Sequence, residues 1–270
     1  MNIKDKKLFL LDMDGTLYLG ERLFDKVNDF LSLVKKRGGR YMFLTNNSSR
    51  SADAYVEKLG KLGIDARTED FFTSTEATIG FLLKNGYKDK RIYAFGTTSF
   101  RRQLAEAGLN VTDSYEKGIS VLLCGFDTEL TFKKLDDVSK LLTEKDIPYI
   151  ATNPDYVCPT EYGYVPDCGS VADMLFNATG KRPLFIGKPE PAMPLYAVEK
   201  VRSERDPLVT KETTLVIGDR LYTDIACGIN AGTKSMLVLS GETTQKMADE
   251  SEFKPTVICK DCSVLLDELK

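Results

Sequence analysis

The chain has 270 residues, of which 42% are hydrophobic, and this is enough for one large folded domain or two moderate ones. Its 37 basic and 40 acidic residues give a formal net charge of −3 without a basic block, which argues against nucleic acid or an anionic membrane as the main partner. The sequence contains no histidine, so catalysis by Ser-His-Asp or Cys-His groups and metal binding by imidazole are excluded.

Two expectations follow about metal and location. Any bound metal should be a hard cation held by oxygen ligands, which points to Mg²⁺. The chain has no apolar run near the roughly 20 residues of a membrane-spanning helix, and its start lacks the apolar segment of a signal peptide. We therefore expect a cytoplasmic protein.

Short apolar runs alternate with amphipathic stretches along the chain. Strands are predicted at residues 8–11, 40–44, 91–95, 119–123, 148–151, 184–186, 214–217 and 235–239. Helices are predicted at residues 24–36, 52–62, 75–84, 100–107, 132–144, 171–178 and 195–205. Because strands that alternate with helices of this length form βαβ units, the predicted fold class is α/β with a parallel sheet.

Polar residues follow four of these predicted strands. In chain order they are Asp12, Asp14 and Gly15; Thr45 and Asn46; Lys188; and Asp219 and Asp224. In a parallel sheet the carboxyl ends of all strands face the same side, where ligands bind. Carboxylates bind Mg²⁺, whereas a hydroxyl, an amide and a lysine bind a phosphate group. The combination therefore favours phosphoryl transfer as the function.

Each of these groups also has an ordinary structural interpretation, as a turn or a helix cap. Their shared position at strand ends is what favours a functional interpretation.

The middle of the chain, roughly residues 80–180, has strands and helices of its own but lacks such groups. A unit inserted into a discontinuous core would explain this, although one continuous sheet is not excluded by periodicity. Residues 153–169 are rich in Pro, Gly and Tyr and predict a long structured loop.

The order and spacing of the motifs resemble those of the haloacid dehalogenase superfamily of phosphatases, in its para-nitrophenyl-phosphatase-like (NagD-like) branch. Residues 12–16, 44–46, 187–189 and 218–224 are similar to the first, second, third and fourth family motifs. The resemblance implies a Rossmann-like parallel-sheet core with an inserted α/β cap domain. We expect the core to comprise residues 1–79 and 181–270 and the cap, which would select the substrate, to comprise residues 80–180.

The resemblance also implies roles for single residues. Asp12 would be the nucleophile that forms an aspartyl-phosphate, and Asp14 would be the general acid and base. Mg²⁺ would be held by Asp12, the backbone carbonyl of Asp14 and Asp219, with Asp224 acting through water. The phosphoryl oxygens would be bound by Met13, Gly15, Thr45, Asn46 and Lys188. Asn153 and Asp155 are the expected substrate contacts in the cap.

The predicted function is that of a Mg²⁺-dependent phosphomonoesterase acting on a small phosphorylated metabolite. A phosphotransferase or phosphomutase on the same scaffold and a non-catalytic phospholigand-binding protein are alternatives. A glycosyltransferase could use Asp12 and Asp14 to hold a metal–nucleotide, but Lys188 and the pair Asp219 and Asp224 would then lack a role. The physiological substrate, the oligomeric state and the roles of Arg220 and of the Cys259 and Cys262 pair stay open.

Overall fold

The computed structural model of the chain describes residues 2–160, 162–204 and 206–269. Its strands are β1 (Leu8–Leu11), β2 (Tyr18–Leu19), β3 (Arg22–Leu23), β4 (Arg40–Thr45), β5 (Phe71–Thr73), β6 (Ile92–Phe95), β7 (Val111–Thr112), β8 (Val121–Cys124), β9 (Tyr149–Ala151), β10 (Val157–Thr160), β11 (Gly163–Pro166), β12 (Leu184–Phe185), β13 (Thr214–Gly218), β14 (Lys234–Val238) and β15 (Val257–Cys259). Its α-helices are α1 (Val27–Lys36), α2 (Ala52–Lys61), α3 (Ser74–Lys84), α4 (Thr98–Glu106), α5 (Phe132–Glu144), α6 (Cys168–Thr179), α7 (Ala192–Glu204), α8 (Ala226–Ala231), α9 (Gln245–Glu250) and α10 (Ser263–Leu269).

The described chain divides into two compact units. Unit 1 comprises Met1–Thr45, Ala52–Phe72 and Lys188–Lys270, and unit 2 comprises Asn46–Ser51 and Thr73–Gly187. Unit 2 is therefore inserted, in chain order, between segments of unit 1. The predicted boundary after residue 79 would cut through α3, which is one continuous helix of unit 2. The assignment of the inserted segment as a substrate-selecting cap stays a prediction.

Unit 1 is built on a sheet with the strand order β15-β14-β13-β1-β4-β5. The central strand β1 is parallel to both neighbours, with Leu8 opposite Thr214 on β13 and opposite Arg40 on β4. Every residue of β1 is buried, which explains its uninterrupted apolar sequence, because parallel strands are covered on both faces. The strand ends that carry Asp12 and Asp219 therefore lie side by side.

Unit 2 has its own sheet, with the strand order β12-β9-β8-β6-β7 and parallel pairing throughout the described register. The α/β fold class with parallel sheets is thus confirmed. One part of the prediction is wrong, because β12 was expected to lie in the same sheet as β1. Instead Leu184 pairs with Ile150 on β9, so the strand that precedes Lys188 belongs to the sheet of unit 2.

The predicted long loop at residues 153–169 is also corrected by the structure. It contains an antiparallel hairpin formed by β10 and β11, with Val157 opposite Pro166 and Pro159 opposite Tyr164. The hairpin was missed because proline is depleted in strands and is tolerated mainly at sheet edges, which both strands of a two-stranded ribbon are. Within the ranges that the structure describes, no helix combines the length and the apolar character needed to span a bilayer.

Candidate active site

The carboxylates of Asp12, Asp219 and Asp224 form a cluster in unit 1. Asp12 follows β1 directly, and its N–H donates to the Ile217 carbonyl of the adjacent β13 at 2.8 Å. Asp219 follows β13, and Asp224 lies on the π-helical turn Leu221–Ile225 that comes next. One oxygen from each carboxylate lies within 4.8 Å of the others. The sheet register therefore brings together acids that are about 200 positions apart in sequence.

Lys188 lies inside this cluster. Its Nζ donates to Asp12 Oδ1 and to Asp224 Oδ1, both at 2.6 Å, and the side chain is almost fully buried. Burial alone would lower the pKa of Lys188, but the charges of the two carboxylates outweigh burial and raise the pKa overall. The lysine is therefore an ammonium held against the carboxylate that the sequence predicts to be the nucleophile.

The ionisation of the acids is strongly affected by their surroundings. Burial raises the pKa of Asp12 to about 6, with the charge of Asp224 acting in the same direction and Lys188 opposing it. Burial likewise raises the pKa of Asp219 to about 7, and the charges of Asp12 and Asp224 add to this effect. Carboxylates this close repel one another, so further positive charge would favour their ionised forms.

Asp219 offers direct evidence that this place fits a metal ion. Its Oδ2 accepts the Glu242 backbone N–H at 2.7 Å. Its Oδ1 is buried and has no hydrogen-bond partner among the described residues. An unpaired buried acceptor is costly, and a cation would satisfy it. The all-oxygen set of ligands is the kind that Mg²⁺ prefers, so the residues present fit this ion.

Glycines make room for Asp219. A Cβ atom on Gly15 or on Gly241 would overlap the Asp219 carboxylate. Gly15 also has a φ of +79°, in the left-handed region that residues with a side chain rarely adopt. The carboxylate can therefore approach the backbone only where these side chains are missing.

We expect Gly15→Ala to reduce the activity of the protein. The variant combines a left-handed backbone cost of about 1–2 kcal/mol with displacement of Asp219, so we expect activity to fall by about 10-fold or more. Gly20→Ala is the matched control, because Gly20 has a φ of +60° but nothing lies within 4 Å of its added Cβ. Thermal unfolding and phosphate release from 4-nitrophenyl phosphate measure both effects. Equal losses of activity in the two variants would contradict the expectation.

The turn after Asp12 is held by backbone hydrogen bonds. The Thr16 N–H donates to the Met13 carbonyl at 3.2 Å, and the Gly15 N–H donates to the Tyr18 carbonyl at 2.7 Å. The Gly15 N–H was expected to bind a phosphoryl oxygen, but here it is used to close the turn. The phosphate contacts expected of Met13 and Gly15 stay predictions.

The second motif is divided between the two units. Thr45 ends β4 in unit 1 and is nearly buried, and its Oγ1 lies 3.5 Å from Tyr55 Oη on α2. Asn46 belongs to unit 2, where its Nδ2 donates to Asp155 Oδ2 at 2.9 Å. The predicted phosphate contact of Asn46 stays a prediction.

The Asn153 side chain lies within unit 2 and is held there by hydrogen bonds. Its side chain is fully buried, and its Nδ2 donates to Asp155 Oδ2 at 3.2 Å and to Asp167 Oδ1 at 3.1 Å. Its Oδ1 accepts from Thr152 Oγ1 at 2.8 Å. Burial raises the pKa of Asp167 to about 7, and the Asn153 amide opposes this shift. The Asn153 amide thus contacts two carboxylates, of which Asp155 is only partly buried, and the substrate contacts expected of Asn153 and Asp155 stay predictions.

One segment of the site was missed by the sequence analysis. Ser240 and Glu242 follow β14, and the Ser240 Oγ donates to the Gly15 carbonyl at 2.7 Å. The Glu242 side chain lies 2.9 Å from Arg220 Nε, so it gives Arg220 an ion-pair partner. The sequence could have indicated this segment, because Ser240 and Glu242 also follow a predicted strand. Of the Cys-x-x-Cys pair, Cys262 is fully buried and its thiol donates to the Thr16 carbonyl.

A cleft of about 470 Å³ in unit 1 lies at the start of β4 and is lined by other residues. Two of its basic residues contact neighbours in the cleft: Lys35 Nζ is 3.9 Å from Asp70 Oδ2, and Arg40 donates to the Glu69 backbone carbonyl at 3.0 Å. The acidic cluster, and not this cleft, carries the groups suited to phosphoryl transfer.

Comparisons with known proteins agree with this geometry. Residues 9–110 match the family model described as haloacid dehalogenase-like hydrolase, and residues 185–265 match a second one described as HAD-hydrolase-like. An acid sugar phosphatase of Staphylococcus haemolyticus is 33% identical over 268 residues, which cover 99% of this chain and 98% of that protein.

Solved structures that resemble this chain include phosphatases as well. A 4-nitrophenylphosphatase of Thermotoga maritima has a TM-score of 0.91 and 36% identity, with 100% of both chains covered. A glycerol phosphate phosphatase of Mycobacterium tuberculosis, solved in complex with magnesium, has a TM-score of 0.87 and 30% identity, with 99% of this chain and 77% of that chain covered. The mycobacterial protein has also been solved in complex with calcium.

Proposed function

The chain belongs to the haloacid dehalogenase-like hydrolases and is a phosphatase, and we propose that it hydrolyses small phosphate monoesters with Mg²⁺ and an aspartyl-phosphate intermediate. The observation that carries the proposal is the cluster of Asp12, Asp219 and Asp224 around Lys188. The resemblance to para-nitrophenyl phosphatases, first noted from four short motifs, is confirmed over the whole chain.

The proposed metal ligands are Asp12, the Asp14 carbonyl and Asp219. Asp224 would act through water, which fits its hydrogen bonds: one oxygen accepts from Lys188 and the other from the Arg220 N–H at 3.2 Å. When bound, Mg²⁺ supplies positive charge that offsets the repulsion between a carboxylate and a phosphate dianion.

Asp12 is the proposed nucleophile. One of its carboxylate oxygens forms a bond to phosphorus while the bond from phosphorus to the ester oxygen breaks. Lys188 lies 2.6 Å from Asp12 Oδ1 and would neutralise part of the charge on the phosphoryl group. The Thr45 hydroxyl, at the end of the neighbouring strand, would donate to a phosphoryl oxygen.

Asp14 is the proposed general acid and base. Its side chain is 45% exposed, so it can reach groups that enter from solvent. In the first step its proton passes to the leaving oxygen. In the second step its carboxylate takes a proton from the water that attacks phosphorus and releases Asp12. A placed acid or base contributes about 10²–10⁴-fold to rate.

The proposed substrates are phosphate esters of small hydroxylated metabolites, such as sugar or glycerol phosphates. Support comes from the names of the relatives, an acid sugar phosphatase and a glycerol phosphate phosphatase. We propose that unit 2 selects among such substrates, that Asp155 takes part in the selection, and that Asn153 positions Asp155.

The experiment that tests the proposal is phosphate release from a panel of sugar, glycerol, nucleoside and 4-nitrophenyl phosphates. We expect release that EDTA stops and added Mg²⁺ restores, because the acid cluster needs a cation. Added glycerol serves as a competing acceptor. No release from any ester, or release insensitive to EDTA, would contradict the proposal, and transfer to glycerol in preference to water would favour a phosphotransferase.

A further inference from the structure

Lys58, on α2, was not selected by the sequence analysis, yet its ammonium lies beside Asp14. Its Nζ is 4.0 Å from Asp14 Oδ2 and 4.5 Å from the centroid of the Tyr18 ring. The lysine is therefore held on one side by a carboxylate and on the other by an aromatic face, which attracts cations.

Tyr18 is a rigid support for this contact. Its side chain is 1% exposed, and its backbone forms a β-bridge with Asp14. Its carbonyl accepts the Gly15 N–H at 2.7 Å. The ring that attracts Lys58 thus belongs to the same closed turn as Asp14, so the spacing between the ring and the carboxylate is set by a single local structure.

The helix that carries Lys58 is also firmly placed. Leu59 is fully buried and Tyr55 nearly so, and both belong to the hydrophobic core of unit 1. Tyr55 is three residues before Lys58, so the two side chains lie on the same face of α2. Tyr55 contacts Thr45 and Lys58 approaches Asp14. One helix therefore approaches the proposed acid and base as well as the proposed phosphate-binding hydroxyl.

The contact contributes little to stability. The side chains of Lys58 and Asp14 are 42% and 45% exposed, and exposed ion pairs are worth about 0–1 kcal/mol. A variant without the lysine should therefore fold. Loss of the lysine would change the direction in which the Asp14 carboxyl group points. Proton transfer depends strongly on this direction.

We propose that Lys58 is a positioning residue for Asp14, which it holds where the carboxyl group can give its proton to the leaving oxygen and later take one from water. The inference rests on the proposed function, in which Asp14 is the acid and base.

Two kinds of ester separate this role from others. Nitrophenolate is stable without a proton, so loss of a well-placed acid should matter little for 4-nitrophenyl phosphate. An alkoxide needs the proton, so glycerol phosphate or another alkyl ester that the wild type hydrolyses should be strongly affected. The constant kcat/KM reports the first step, in which the leaving group departs, and is the quantity to compare.

The variants are Lys58→Met, Lys58→Arg and the control Lys61→Met on the same helix, where Lys61 pairs with Glu57 at 2.7 Å. For Lys58→Met we expect kcat/KM to fall about 10-fold or more for the alkyl ester and less than about 2-fold for 4-nitrophenyl phosphate. Lys58→Arg should recover most of the loss because it keeps the charge. Lys61→Met should behave as the wild type with both esters.

Thermal unfolding shows whether each variant is folded. Equal losses with both esters would overturn the proposal, because they would indicate that Lys58 binds the phosphate or supports the fold. An unchanged alkyl-ester rate would overturn it as well. Absence of turnover in the wild type would instead contradict the proposed function, so the two failures are distinguishable.

Discussion

Asp12→Asn should lose phosphatase activity by about 10⁴-fold or more, the order expected when a covalent nucleophile is removed. The amide cannot form a stable bond to phosphorus, and the ion pair with Lys188 is lost as well. Two measurements check this: phosphate release under Mg²⁺, and covalent labelling of the acid-quenched protein by a ³²P-labelled ester. The wild type should carry label and the variant should carry none.

The variant should nevertheless stay folded. The raised pKa of Asp12, which comes from burial and from Asp224, means that its ionised form is disfavoured there, so a neutral amide relieves repulsion within the cluster. Asp29→Asn, at an exposed position in the first turn of α1, is the control and should be fully active. Turnover by Asp12→Asn, after deamidation has been excluded by mass spectrometry, would disprove the nucleophile assignment.

Mg²⁺ should stabilise the wild type, and Asp219→Asn should remove most of this stabilisation. At about 100 times its dissociation constant, a ligand that binds only the folded state adds about 2.7 kcal/mol to the free energy of unfolding. The buried Asp219 Oδ1, without a partner in the described part of the chain, is the atom we expect the cation to satisfy. Thermal unfolding with and without Mg²⁺ measures the effect.

Asp249→Asn is the control for this experiment, because Asp249 is exposed on α9 and contacts Gln245. It should respond to Mg²⁺ as the wild type does. A full Mg²⁺ response in Asp219→Asn would show that the ion binds elsewhere. Loss of folding in the metal-free variant would show as a lower melting temperature before Mg²⁺ is added, so the two effects can be told apart.

The response to Mg²⁺ should also depend on pH. Burial raises the pKa of Asp12 to about 6 and that of Asp219 to about 7, so without metal the folded protein binds protons that the unfolded chain releases. The free energy of unfolding of the metal-free protein should therefore fall as pH rises from about 4 to about 7. Because the cation competes with these protons, its stabilising effect should be larger at pH 8 than at pH 5. Equal effects at both values would contradict this.

Local patterns were sufficient where a segment is long or uniformly buried. β1 and α5 have the predicted bounds, because the first is wholly apolar and the second is a regular amphipathic helix. Shorter elements such as β2, β3 and β7 were missed, since two residues cannot show a period. Asp12 and Asp219 were found because a run of buried residues ends directly before each of them.

Lys188 shows the limit of this reasoning. It was expected beside Asp12 because its strand was placed in the same sheet as β1. The strand lies in the sheet of unit 2, yet Lys188 itself belongs to unit 1 and donates to Asp12. Lys188 lies beside Asp12 as expected, but the argument for this placement was wrong, because sheet membership depends on pairing with distant strands, which periodicity does not report.

The sequence by itself indicated an α/β fold and phosphoryl transfer, because polar groups follow apolar runs, and its four motifs resembled those of a phosphatase family. The lack of histidine led us to expect a metal ion held by oxygen ligands. Packing between segments that are far apart in the sequence decided the positions and contacts of the other residues. In the folded chain the Asn153 amide is buried and the Gly15 N–H closes a turn. Ser240 and Glu242 lie at the site. Lys58 lies beside Asp14. These outcomes depend on contacts between residues that are far apart in the sequence. Local sequence patterns do not report such contacts, because they reflect only neighbouring residues.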